Sequence, residues 1–303
     1  MPLAELSYLI SIEIGYFAYI AIIGNHDVES YVPALNIHLS VVVIYEYLIT
    51  IDREVHFAWN GWSRRFSWAR CVFFLNRYLT ILLYVTTWVQ MSSIPNTALS
   101  CNIPVRMIQA CEVTLYVVWA AFAGIRVYAI SGCDRFKTTL VVVLALVPAV
   151  TTMYVDTLES VALTFQVCNE SLSMSSFTWT ILSVVTRSCL IISDAIVLVV
   201  TWLATWNTFR VARKLNIKVS FVSFILKAGT IHVSIVSSCN ILQVVCDFVN
   251  IGEFSAILYF VNLFTPLLIS RFFFDLHDLT THDPQLSQII STGRVLKETE
   301  SAV

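Results

Sequence analysis

The chain has 303 residues, of which 57% are hydrophobic and only 13% are charged. A soluble globular domain carries about 25% charged residues, so this composition excludes an ordinary soluble protein and indicates one that lies in a bilayer. The formal net charge of −2 adds little, because in a membrane protein the distribution of charge between loops matters more than its sum. The sequence has no basic tract, and we expect no nucleic-acid partner.

The first apolar stretch, Leu6 to Ile23, has two interpretations. It lacks a basic region before it, so it is a poor signal peptide. It is either an interfacial helix on the outer side or an eighth span. Glu13 favours the interfacial helix, because a carboxylate near the middle of a span costs a few kcal/mol. We therefore assign residues 1–34 to an extracellular or lumenal N-terminal segment.

Seven apolar runs follow, of about the length that a helix needs to cross a hydrocarbon core, roughly 17–25 residues. They predict an all-α membrane protein, with a seven-transmembrane helix bundle over residues 35–273 and a cytosolic tail over residues 274–303. Proline at position 148 predicts a kink in the fourth run. The predicted spans are Leu35–Ile51, Val72–Val89, Met107–Ile130, Thr139–Tyr154, Ile181–Trp206, Phe221–Cys246 and Phe254–Phe273.

Lysine and arginine are concentrated in alternate loops, chiefly residues 52–71 and 207–220, whereas the opposite loops hold mostly acids. Because basic loops stay in the cytosol, the N-terminus is predicted outside and the C-terminus inside. The two basic loops either bind a cytosolic protein or act only as topology signals that contact anionic lipid headgroups. We expect a multi-pass protein of the plasma membrane or another membrane of the secretory pathway.

Two cysteines are predicted to face the oxidising side, where a disulfide can persist. Cys101 precedes the third predicted span, and Cys168 lies in the loop between the fourth and fifth. A bridge between them would tie this loop to the top of the third helix, although Cys111 is a competing partner and both thiols could be free. Asn169 begins a glycosylation sequon in the same loop.

Five ionisable residues fall inside or near predicted spans. A charge in the bilayer is expensive and usually faces the bundle interior. These residues therefore form a candidate ligand pocket, or they hold the helices together through hydrogen bonds, or some of them line an ion path. The five are Glu46, Glu112, Arg187, Asp194 and His232.

No motif of a soluble enzyme is present: the sequence has no glycine-rich phosphate loop, no His-Glu-x-x-His, no Gly-x-Ser-x-Gly and no Cys-x-x-Cys. We therefore expect neither an enzyme nor a cofactor. His277 and the pair His282-Asp283 lie in the tail, and two histidines there are weak evidence for a metal site.

The segment Tyr45-Glu46-Tyr47-Leu48-Ile49-Thr50-Ile51-Asp52-Arg53-Glu54 resembles the signature Tyr-Asp-Tyr-Leu-Leu-Thr-Leu-Asp-x-Glu of a fungal, mostly basidiomycete, family of integral membrane proteins that is classed as a domain of unknown function. A tryptophan-rich loop and Asn76-Arg77-Tyr78 follow, as in that family. Further similar motifs are Ile125-Arg126-Val127-Tyr128-Ala129, Ser193-Asp194 with Thr201-Trp202, and Ser270-Arg271-Phe272.

The resemblance implies a seven-helix architecture with receptor-like topology and no established activity. The chain departs from G-protein-coupled receptors at the end of the third span, where Gly124-Ile125-Arg126-Val127-Tyr128 stands in place of Asp/Glu-Arg-Tyr. It also lacks Asn-Pro-x-x-Tyr in the seventh span. A receptor function therefore rests on analogy of fold.

The leading hypothesis is a receptor-like sensor. Its ligand would reach a pocket near Glu112, Arg187 and Asp194 from the outer side, and a cytosolic protein would bind the loops at 52–71 and 207–220. The alternative is a transporter or channel that uses Glu46, Asp194 and His232. A scaffold or enzyme acting on lipid is a third class, which no residue pattern favours.

Overall fold

A computed structural model of the chain describes residues 28–56, 68–92, 97–164, 167–214, 233–245 and 256–282. The stretch from Leu6 to Ile23, proposed above as an interfacial helix or a span, lies outside the described residues. The described part forms seven helices and one antiparallel pair of strands. They are α1 (Val28–Glu54), α2 (Trp68–Ser92), α3 (Ala98–Ile130), α4 (Arg135–Leu158), β1 (Glu159–Thr164), β2 (Val167–Leu172), α5 (Ser176–Lys214), α6 (Val233–Val245) and α7 (Ala256–His282).

Wherever the structure describes a predicted apolar run, that run is helical, although residues 221–232 of the sixth run lie outside the described residues. Several helices are longer than the runs. Helix α3 begins at Ala98 rather than Met107 because Thr97 caps it: the Thr97 side chain accepts a hydrogen bond from the Ser100 amide at 3.2 Å. Cys101 therefore lies inside the helix. The two strands are an addition to the all-α prediction.

Four of the described helices are long and apolar enough to cross a membrane: Trp68–Met91, Ala98–Ile130, Arg135–Leu158 and Ser176–Leu203. Only 22–39% of their most apolar windows is buried within the chain, so most of this apolar surface faces outward. Val143, Val150 and Val199 are among the exposed side chains. Because helices satisfy their own backbone hydrogen bonds, they can present such a surface to lipid. The fold is that of a multi-pass integral membrane protein.

Neighbouring helices pack antiparallel. Val72, near the start of α2, shares an apolar cluster with Phe122 near the end of α3, whereas Leu83 clusters with Cys111 earlier in α3. The order of contacts is thus reversed along the two helices. The same reversal holds for α4 with α5 and for α5 with α6, through the contacts Val141–Ser193 and Thr151–Thr186, and Arg187–Asn240 and Val197–Val233.

A tight turn joins α3 to α4, and we call this side of the bundle the turn end. Gly132 and Cys133 have φ values of 73° and 72°, a left-handed conformation that reverses the chain. Asp134 then caps α4 by accepting hydrogen bonds from the amides of Phe136 at 3.0 Å and Lys137 at 3.4 Å. The Lys137 ammonium, 3.0 Å from the Asp134 carboxylate, holds the pKa of that carboxyl below its usual value.

The opposite side, which we call the strand end, is tied together covalently and by hydrogen bonds. A disulfide joins Cys101 of α3 to Cys168 of β2. The Arg106 guanidinium donates to the carbonyl oxygens of Asp156 at 3.0 Å and Glu159 at 3.1 Å, so α3 also holds the end of α4 and the start of β1. Asn169, the sequon residue, lies in β2 opposite Ala162.

Candidate functional site

A cavity of about 100 Å³ lies in the interior between α3, α5, α6 and α7, with one side chain from α4. This volume accommodates several water molecules or a small ligand. Much of the wall is apolar, including Trp119, Phe122, Val197 and Ile269. The polar residues of the wall come from α3, α5, α6 and α7 and are Tyr116, Arg126, Arg187, Ser193, Asp194, Asn240 and Thr265.

Two of the five predicted pocket residues, Arg187 and Asp194, line this cavity together. They are seven residues apart on α5, a spacing of two helical turns that brings both side chains to one face. Arg187 is 8% exposed and donates from Nη1 to the Asn240 side-chain oxygen at 3.1 Å. This bond also connects α5 to α6.

Asp194 Oδ2, Asn240 Nδ2 and Thr265 Oγ1 are buried atoms of the cavity wall that make no hydrogen bond to the described residues. Leaving a buried donor or acceptor unsatisfied costs about 1–3 kcal/mol. Buried polar groups in proteins are therefore paired in almost every case, if not with protein then with water or a ligand. The cavity offers both a donor and an acceptor for such a molecule.

Arg126, four residues before the end of α3, supplies a second cation to the wall. It is 7% exposed, and its guanidinium lies 5.4 Å from the centroid of the Phe272 ring. Arg126 and Asp194 also attract each other electrostatically. The carboxylate of Asp194 thus offsets positive charge on the α3 side of the cavity.

The other predicted pocket residues lie elsewhere or outside the described residues. Glu112 is half-buried on α3, one turn before Tyr116, and does not line the cavity. His232 immediately precedes the described part of α6 and lies outside it. Glu46 belongs to a different group of polar residues, described next, so the structure does not bring Glu46 and Asp194 to one path.

Glu46 forms a two-pronged ion pair with Arg271 of α7. The Arg271 Nε and Nη2 atoms donate to the two Glu46 carboxylate oxygens at 2.6 and 2.7 Å. The two side chains are 12% exposed for Arg271 and 8% for Glu46. Planar guanidinium and carboxylate groups match each other in this geometry, so the pair fixes α1 against α7.

A second buried ion pair lies near the end of α1. Arg77 of α2 donates from Nε to Glu54 at 2.6 Å and from Nη2 to the Thr50 hydroxyl at 2.8 Å. The Tyr78 hydroxyl donates to the other Glu54 oxygen at 2.6 Å. The Arg77 guanidinium also lies 4.6 Å from the centroid of the Tyr47 ring. Every one of these residues belongs to the signature segment or to Asn76-Arg77-Tyr78.

Asn76 connects three helices. Its side-chain nitrogen donates to the Pro266 carbonyl at 2.9 Å and to the Ser270 hydroxyl at 3.1 Å, and its oxygen accepts from the Trp119 indole at 3.0 Å. The Pro266 carbonyl also accepts from Ser270 at 2.9 Å. We call the whole group the α1–α2–α7 polar cluster, and its members are Glu46, Thr50, Glu54, Asn76, Arg77, Tyr78, Ser270 and Arg271.

The basic loops are only partly described. Residues 57–67 and 215–220 lie outside the described residues, as do the side chains of residues 207–214. Within the first loop, Arg53 donates to Asp275 of α7 at 3.0 Å, with both side chains about one-third exposed. In the tail, His277 lies on α7, His282 is its last residue, and Asp283 lies outside the described part; among the described residues no group of three His, Cys, Asp or Glu could hold a metal ion.

Four residues of the cavity and of the α1–α2–α7 polar cluster are not among those that the sequence analysis selects. Arg126 was assigned to the end of a span, Arg77 was not counted as an intramembrane charge, and Asn240 and Thr265 are neutral residues inside apolar runs. The signal that identified Asp194, a polar side chain in an apolar run, applies to all four. Extending it to arginine near span ends and to neutral polar side chains would identify them.

The chain has long apolar helices that enclose polar groups, and this arrangement identifies it as a multi-pass integral membrane protein. A model of a family of unknown function (DUF6533) matches residues 38–82, which run from early α1 to the middle of α2. The matched segment contains the Arg77–Glu54 ion pair, and Glu46 and Asn76, whose partners lie on α7. No curated protein matches the chain.

Proposed function

We propose that this chain is a receptor-like membrane sensor that binds a small polar ligand in the cavity between α3, α5, α6 and α7. The observation that carries the proposal is that buried polar atoms of Asp194, Asn240 and Thr265, none of which has a hydrogen-bond partner among the described residues, lie around one cavity. They belong to three different helices. A ligand bridging them would change how those helices pack, which is the basic requirement of a sensor.

The proposal includes seven crossings, with the N-terminus outside and the C-terminus in the cytosol. The antiparallel packing of neighbouring described helices supports an alternating path through the bilayer. The disulfide at the strand end supports an oxidising compartment on that side. Lysine and arginine in the loops of the turn end support a cytosolic location there.

Thermal unfolding of the purified chain in lipid nanodiscs, with a library of small polar molecules, tests the ligand site. Some molecules should raise the Tm of the wild type but not of Ala123→Leu, because leucine fills part of the cavity that Ala123 lines. Ala129→Leu, on an exposed position of the same helix, is the matched control and should respond as the wild type does.

An equal response from Ala123→Leu and the wild type would place binding outside the cavity and refute the site. Flux of the stabilising molecule into proteoliposomes would refute the sensor hypothesis in favour of the transporter hypothesis, since a receptor moves no solute across the membrane.

The proposed cytosolic partner surface consists of the loops at 52–71 and 207–220. Its support is the concentration of basic residues there, apart from Arg53, which pairs with Asp275. If the partner is a heterotrimeric G protein, its subunits should co-purify with the chain in mild detergent and dissociate on addition of GTP. Co-purification unaffected by GTP, or none at all, would reject this coupling.

A further inference from the structure

The Arg187 side chain is a buried cation whose described partner is neutral. It is 8% exposed, and it donates to an amide oxygen of Asn240 at 3.1 Å. Among the described residues it forms no ion pair with a carboxylate. A buried charge is costly unless it is paired, and Arg187 lies on the wall of a cavity. An anion in that cavity would provide the missing pairing.

Asn240 adds a second donor on the same side. Arginine can only donate hydrogen bonds, so the Asn240 oxygen must face Arg187. The amide nitrogen is left, buried and without a described partner. Guanidinium and amide N–H groups next to each other suit the oxygens of a carboxylate, which accepts hydrogen bonds only.

Asp194 requires a hydrogen-bond donor from the ligand rather than an acceptor. Its Oδ2 atom is a buried acceptor without a described partner, and it lines the same cavity. A purely anionic ligand would be repelled there, whereas a hydroxyl or ammonium group would donate to it. Thr265 Oγ1, which also has no hydrogen-bond partner among the described residues, can bond to either end of such a molecule.

We propose that the cavity binds a small carboxylate that also carries a hydroxyl or amino group. The carboxylate is held by Arg187 and Asn240, and the hydroxyl or ammonium group donates to Asp194. This inference rests on the proposed ligand site and narrows it to one chemical class.

The first test uses Asn240→Asp in the full-length chain in nanodiscs. The new carboxylate pairs with Arg187 inside the protein, so the Tm without ligand should rise above that of the wild type. The same carboxylate should exclude the ligand. Asn102→Asp, an exposed position near the start of α3, is the matched control and should leave the Tm unchanged. A lower Tm for Asn240→Asp would overturn the idea that Arg187 lacks an anion.

The second test compares three probes of similar size: lactate, lactamide and propionate. Lactate has both required groups, lactamide lacks the charge, and propionate lacks the hydroxyl. Lactate should raise the wild-type Tm, while lactamide and propionate should bind at least about tenfold more weakly. Lactate should have no effect on Asn240→Asp.

The outcomes separate the two proposals. If lactamide stabilises the wild type as well as lactate does and loses its effect in Ala123→Leu, the cavity is a ligand site and the carboxylate class is wrong. If lactate stabilises Asn240→Asp and the wild type equally, its binding does not involve Arg187 and this inference fails. If no molecule of the library or of this panel shifts the Tm, both proposals fail.

Discussion

At the scale of single residues, the Glu46–Arg271 ion pair is the strongest polar link between α1 and α7. Both side chains are largely buried and two hydrogen bonds join them. Removing one partner leaves the other as a buried, uncompensated charge. We expect Glu46→Gln and Arg271→Gln each to lower the free energy of unfolding by about 3–5 kcal/mol.

The double variant should be less destabilised than the sum of the single variants, because it removes both charges together. Thermal unfolding of the four proteins in detergent measures this cycle. Asp52→Asn, which removes an 87%-exposed carboxylate from the same helix, is the control and should change stability by less than about 0.5 kcal/mol. Additive effects of the two substitutions would contradict the pairing.

Glu46 also shows the limit of sequence reasoning at this scale. Glu46 and Asp194 were selected by one rule, that a carboxylate in an apolar run faces the interior. The spacing of Arg187 and Asp194 predicts a common face, and both line the cavity. Glu46 pairs instead with Arg271, 225 residues away. Periodicity along one helix gives the direction of a side chain, whereas its partner depends on which helices are neighbours.

At the scale of elements, the contact between α3 and α4 depends on Gly124. A Cβ atom at this position would lie 2.5 Å from Cγ2 of Val142, well inside van der Waals contact. Small residues allow membrane helices to approach closely. Gly124→Ala should therefore force the helices apart and lower stability by about 1–3 kcal/mol, as overpacking does.

The test of this contact is a rescue experiment. Val142→Ala removes the methyl group that the new side chain would meet, so Gly124→Ala combined with Val142→Ala should recover most of the lost thermal stability. If Val142→Ala lowers the stability of Gly124→Ala further, the close approach of α3 and α4 at Gly124 is not the cause of the destabilisation.

The strands were beyond prediction because their sequences lack a strong strand signal. β1, Glu-Ser-Val-Ala-Leu-Thr, and β2, Val-Cys-Asn-Glu-Ser-Leu, each have only six residues. Strand formation depends on packing against neighbouring groups more than on intrinsic propensity. Here the disulfide from Cys168 to α3 and the Arg106 bonds at the start of β1 provide those contacts.

At the scale of the whole molecule, the disulfide closes a loop of 67 residues that contains all of α4. We expect Cys101→Ser and Cys168→Ser each to lower stability by about 2–5 kcal/mol, and the double variant to behave as either single variant does. Thermal unfolding with and without reductant measures the effect. Cys133→Ser, at an exposed cysteine outside this disulfide, is the control and should retain the response to reductant.

The architecture of the whole chain was more predictable than its interior. The described part of each apolar run is helical because the helical period and the cost of burying backbone polar groups act locally. The cavity combines side chains from α3, α4, α5, α6 and α7, so it depends on helix order. Asn240 illustrates the difference: its run predicts a helix, but nothing in that run identifies Arg187 as its partner.

The sequence separation of the Glu46–Arg271 pair has a consequence for biosynthesis. Arg77 follows Glu54 by 23 residues, so that pair can form almost as soon as α2 is made. Arg271 follows Glu46 by 225 residues, which takes roughly 10–45 s at about 5–20 residues per second. During this interval we expect the Glu46 carboxylate to lie in the membrane without the Arg271 guanidinium.

A chain truncated at Ile269 lacks Arg271 altogether. Pulse-chase labelling should show that Glu46→Leu slows the degradation of this truncated chain. We therefore expect degradation to distinguish chains that have completed α7 from chains that have not.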